Sequence, residues 1–221
     1  MASLVASSRG GAAGFGVIAV LGLTHLIVGT SAASALPLPP SSSVFPLPLG
    51  IGTSGGVVIA SQTLPFSTSL YSGTLTSQVI SGDTNNPHGG LTFTFLLSND
   101  ASSSSSLNRL TLNGFTNAFS VDASWFGSSP NNIAPFAVDR DGTGVVGFSF
   151  NTILPGFLRI APGTSSTLLI LQTNSTTYFN TLASVIDGRV TQVGSFSPVP
   201  TPGVASLLGL GGALAVRRRR R

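Results

Sequence analysis

Leu91-Thr92-Phe93-Thr94-Phe95-Leu96-Leu97 sets Phe93, Phe95 and Leu97 on one parity and two threonines and a leucine on the other. A period of two is the repeat of a β-strand, whose successive side chains point to opposite faces of a sheet, and phenylalanine and threonine both suit that surface. The repeat recurs on either side. Residues 70–80 place Tyr71, Leu75 and Val79 against Leu70, Ser72, Thr74 and Thr76, and Val57 to Ala60 is a short apolar run. Further strands are expected at 109–112, 115–124, 135–138, 144–150, 166–173 and 185–193. The breaks carry turn signals: residues 82–87 and 128–132, then Asn113-Gly114, Asp141-Gly142 and Asp187-Gly188. Asn-Gly and Asp-Gly supply the positive φ of tight hairpin turns. Such strands and turns predict an all-β body over 56–197, a single antiparallel β-sandwich, jelly-roll-like or immunoglobulin-like. The serine run Ser102 to Ser106 reads as a flexible loop between the third and fourth strands.

Composition narrows the chemistry. In 221 residues all ten basic side chains are arginine and all six acidic ones aspartate, with no lysine, glutamate or cysteine. Disulfides, thiolate metal sites, thiol nucleophiles and lysine Schiff bases are thereby excluded. Three Gly-x-Gly-x-x-Gly/Ala patterns, at 14–19, 50–55 and 142–147, lack the strand-then-helix setting that lets a helix N-terminus meet a pyrophosphate. Gly52-Thr53-Ser54-Gly55-Gly56 matches the nucleophile-elbow pattern, but a strand follows it, and a hydrolase would need His88, in a solvated-looking turn, as its base. Asp139-Arg140-Asp141-Gly142 offers two carboxylates, an incomplete calcium shell that a hairpin turn with solvated aspartates also explains, and Asp83, Asn85 and Asn86 form a weaker oxygen-rich loop. Trp125-Phe126 is the one place where an aromatic sugar platform could stand. Neither a catalytic site, a metal site nor a cofactor is expected.

The two ends read as addresses. Arg9 precedes an apolar run from Gly10 to Gly29, and Ala33-Ser34-Ala35 fits an A-x-A cleavage site, so residues 1–35 read as a signal helix with Ala33 and Ala35 at the cut. Residues 36–55, with Pro37, Pro39, Pro40, Pro46 and Pro48, read as an extended linker. At the other end Pro198-Val199-Pro200-Thr201-Pro202 leads into fourteen residues, Gly203 to Val216, and then Arg217, Arg218, Arg219, Arg220 and Arg221. A helix over 203–216 would be roughly 21 Å long, short of a bilayer core of roughly 30 Å. The arginines would stay on the cytoplasmic side as a basic stop, leaving the prolines outside.

This order, over 198–221, resembles the PEP-CTERM sorting signal of exported bacterial proteins, a Pro-Glu-Pro motif followed by an apolar stretch and an arginine cluster. Pro200, Thr201 and Pro202 stand at the motif, with threonine in place of glutamate. The resemblance implies recognition by an exosortase, a membrane cysteine protease or transpeptidase. Residues 89–125 look like the β-rich bodies found upstream of such signals. The expected protein is therefore a non-enzymatic exported surface or extracellular-matrix protein, passing through an inner-membrane intermediate, with a carbohydrate- or calcium-binding module as the alternative. Its expected partners are the general secretion machinery, an exosortase-type protease, the membrane transiently through 203–216, and extracellular polysaccharide. Nucleic acid is not among them. The formal charge of +4 resides in the ends. Residues 36–202 keep Arg109, Arg140, Arg159 and Arg189 against six aspartates, a net charge of −2.

Overall fold

A computed structural model describes residues 34–50, 52–127, 129, 131–150 and 159–199, all within the unit Ala32–Arg221. The signal segment up to Ala33, the motif Pro200 to Pro202, the segment 203–216 and Arg217 to Arg221 lie outside the described residues. Among those described there is no helix, and the chain forms fourteen strands. They are β1 (Leu36–Pro37), β2 (Ser42–Val44), β3 (Val57–Ser67), β4 (Ser72–Ser81), β5 (Thr92–Asn99), β6 (Arg109–Leu112) and β7 (Val121–Phe126). There follow β8 (Asn132–Ile133), β9 (Ala137–Arg140), β10 (Val146–Ser149), β11 (Ser165–Ser166), β12 (Leu168–Thr173), β13 (Tyr178–Ile186) and β14 (Val190–Pro198).

The strands make two sheets. In the first, β5 lies between β12 and β4, with β7 and β1 beyond β12 and β3 beyond β4. The short β11 also pairs with β5, and β8 runs parallel to it. The second sheet has the order β14-β13-β6-β10-β9-β2, every pair antiparallel. Period-two alternation explains the layering: Phe93 and Phe95 stand opposite Leu171 and Leu169, and Leu75 and Val79 opposite Leu97 and Phe93. All are fully buried, in one apolar cluster with Leu110, Leu112, Val138, Val146, Phe148, Ala183 and Val185 of the second sheet. Phe93 meets Phe115 edge-on at 5.6 Å. Truncating such a phenylalanine to alanine typically costs about 3–5 kcal/mol.

Several expected boundaries move. The strand expected at 185–193 is the tip of a hairpin, β13 and β14, turning at Asp187-Gly188-Arg189 with Gly188 at φ 64°. The run 115–124 is strand only from Val121. The serine run is tied down, since Ser103 Oγ donates to Ser72 O, and the Ser104 amide and hydroxyl both donate to Leu70 O.

The largest correction concerns residues 36–55, which are part of the body and not a spacer. Leu36 and Pro37 pair with Ala123 and Asp122 in the first sheet, Ser42 to Val44 pair with β9 in the second, and Leu38 between them is buried in the shared core. Proline holds the extended φ the sequence reading expected, but an edge strand can use that conformation because a missing N–H on its outer side costs nothing. Farther on, the Leu49 amide donates to Trp125 O, Asn85 Nδ2 to Gly52 O at 2.8 Å, and the Thr84 amide and hydroxyl to Ser54 O. The segment thus straps both sheets.

Candidate functional site

A pocket of about 380 Å³ opens beneath this strap. Pro37 to Pro40 form one wall, Pro87 and His88 from the 82–90 loop another, and Phe119 to Asp122, at the start of β7, the floor beside Arg140. Its polar groups come from three distant stretches of sequence.

Arg140 is the best-buried of them, 2% exposed. On β9 it shares parity with the core residue Val138, so alternation alone turns its side chain inward. The guanidinium donates from Nε to Phe115 O at 2.9 Å, from Nη1 to Leu38 O at 3.0 Å, and from Nη2 to Thr116 O and Phe119 O at 2.5 and 3.0 Å. Four carbonyl dipoles thus take the place of a counter-carboxylate; among the described residues no ion pair involves Arg140. Burial lowers its pKa from the usual value, and an arginine still stays charged across the physiological range. The arrangement fixes the 115–119 turn and Leu38 of the strap to the second sheet.

His88 is not a solvated loop residue. The loop carrying it is built by aspartate and asparagine: Asp83 Oδ1 accepts the Asn85 amide, Asn86 Oδ1 accepts the His88 amide, and Asn86 Nδ2 reaches Gly90 O and Thr173 O. Asp83 Oδ2 also accepts the Thr92 hydroxyl at 2.8 Å. These bonds deliver the His88 ring to Asp122, with Nε2 2.8 Å from Oδ1 and the Asp122 side chain only 7% exposed. Ser54 uses its carbonyl to hold Thr84, and among the described residues no serine hydroxyl bonds the His88 ring.

The other sequence candidates take structural parts. Asp139 binds Arg109 through two bonds of 2.7 Å, from Nη1 to Oδ1 and Nη2 to Oδ2. Asp141 caps its own turn, accepting the Thr143 and Val145 amides. Chiefly the Val145 N–H, with Thr143, holds the Asp141 carboxyl below the usual carboxylate range. Among the described residues no group of three or more histidine and acidic side chains is placed to hold a metal ion. The third glycine pattern is also explained: Gly144, at φ 93°, leaves a Cβ only 2.4 Å from Thr116 Cα, and Gly147 lies under the Arg109 guanidinium. The Trp125 indole N–H donates to Pro46 O, and residues 47–49 bond along its backbone, which fixes the ring beside the strap. Ala35, at the expected cleavage site, is buried to 5% exposure.

Two residues of the pocket escape sequence reading. Asp122 meets His88 only through tertiary folding, and nothing local marks it. Arg140 had a signal, its parity with Val138, which its position between two aspartates obscures. Comparison of the chain with protein-family models, with curated proteins and with solved structures found no match.

Proposed function

We propose that the chain is a non-enzymatic exported protein of the cell surface or extracellular matrix, its body a jelly-roll-like or immunoglobulin-like sandwich. A PEP-CTERM-like signal at 198–221 would be processed by an exosortase-type membrane protease. The observation that carries the reading is the order of the sequence at 198–221, in which Pro200-Thr201-Pro202, an apolar stretch and five arginines follow one another. The Val199 amide donates to Thr177 O and its carbonyl accepts from Ser175 Oγ and Thr177 Oγ1, so tertiary hydrogen bonding runs to the residue just before Pro200-Thr201-Pro202. The mildly acidic body, with its serine- and threonine-rich surface, suits a protein that works outside the cell.

The test is the intact mass of the protein recovered from its native host. A mass ending near Pro202 is expected. Retention of Gly203 to Arg221 on the mature molecule would refute processing and leave a plain membrane anchor.

A further inference from the structure

We infer that the proline-walled pocket beneath the strap binds a neutral pyranose ring, either a free monosaccharide or a unit of a polysaccharide. The inference rests on the pocket alone, so its failure would leave the export reading untouched. A volume of about 380 Å³ is within the range of small-molecule sites. The walls are set in advance, since Pro37 is locked into β1 by pairing with Asp122, and the loop carrying Pro87 is pinned through Asn86. Binding to such a site loses little conformational entropy.

The polar groups select the ligand. Asp122 spends Oδ1 on His88, while among the described residues its Oδ2 and the His88 Nδ1 have no protein partner. A carboxylate oxygen can only accept, and with Nε2 donating to Asp122 the Nδ1 of the neutral ring accepts as well, so the two together suit hydroxyls, which can donate to both. Both residues line the same pocket, so separate hydroxyls of one small ligand can meet them together. Asp122 and Arg140 are both largely buried, at 5% and 2% exposure, and are not paired with each other, so this pair of opposite charges gives the lining no net charge that would favour an ion of either sign. A neutral molecule with several hydroxyls and a C–H face for the proline rings fits this lining, the description of a pyranose.

The experiment titrates the full-length chain, kept in a zwitterionic detergent free of sugar, with neutral hexoses and pentoses and their oligomers, read by saturation-transfer NMR and calorimetry. At least one sugar is expected to bind, and Asp122→Asn to weaken it roughly tenfold or more, while Gln192→Ala, at an exposed position of β14, leaves it unchanged. Thermal melting checks that each variant folds, and His88→Gln takes over the test if Asp122→Asn does not. Oligomers binding more tightly than their monomers identify a polysaccharide, and equal affinities a free sugar. Silence across the whole panel would overturn the inference, as would binding indifferent to both substitutions or a response to catechols but to no sugar.

Discussion

Replacing Arg140 by methionine keeps most of the side-chain volume and removes every donor, which isolates what the buried guanidinium contributes. Three carbonyls, of Leu38, Phe115 and Phe119, lose their partner in a place where water has little access, while Thr116 O keeps the Phe119 amide. An orphaned buried acceptor costs about 1–3 kcal/mol, so the three together could lose about 3–9 kcal/mol. Against this, the buried charge no longer has to be desolvated, which returns several kcal/mol. The net expectation is a loss of about 3–5 kcal/mol, a large part of the roughly 5–15 kcal/mol typical of a folded domain. With a urea slope near 2 kcal/mol/M, the unfolding midpoint should fall by about 2 M. Arg140→Lys should lie between wild type and Arg140→Met, because an ammonium keeps the charge but cannot span four acceptors in a plane. Urea unfolding followed by tryptophan fluorescence is a direct assay, because Trp125 is hydrogen-bonded to the strap that Arg140 anchors. An Arg140→Met midpoint within about 0.5 M of wild type, with the slope unchanged, would refute the account of Arg140 as the anchor of the strap.

Gly144→Ala should destabilise by about 2 kcal/mol or more, since φ 93° is strained for alanine and the new Cβ would strike the Thr116 backbone; thermal melting measures it. The Tyr71 hydroxyl donates to Val185 O and Arg189 O, and burial, reinforced by the charge of Asp187, pushes the phenol's pKa up. Its contribution should therefore be fully present below about pH 10, where the unfolded phenol stays neutral, and be lost as pH rises through the folded pKa; Tyr71→Phe should flatten that alkaline limb in denaturation at varied pH. Asp141 has the opposite sign, its lowered pKa giving stability that is present above about pH 4 and lost as pH falls through the folded value. Asp141→Asn should remove that acid dependence, an effect small in size because the turn is exposed.

The strands were legible where one residue parity is buried. Phe93, Phe95 and Leu97, and likewise Tyr71, Leu75 and Val79, are inward as their alternation requires. Legibility failed where a distant group decides the local shape. Residues 115–119 have apolar content fit for a strand, yet three of their carbonyls turn toward Arg140, an acceptor geometry that no local pattern encodes. Residues 36–55 failed in another way: proline density marks extended chain correctly, but whether that chain is free or docked depends on edges of β7 and β9 formed far downstream. The pocket was illegible as a site because His88 and Asp122 belong to different segments, and sequence reading considered His88 only with Ser54.

The strap also sets an order of events. The first part of the body to be synthesised pairs with Ala123 and with Arg140, so its own partners do not exist until most of the domain has been made. Contacts of such sequence separation form slowly, because a long stretch of chain must be closed before they can reward it. Until then both sheets lack an edge strand and Leu38 is missing from the core, and the half-made domain has no finished state in which to settle. Completion of the domain is thereby postponed through its topology. Docking of residues 36–44 is in that sense a timing device, which lets the domain close only once β9 has emerged.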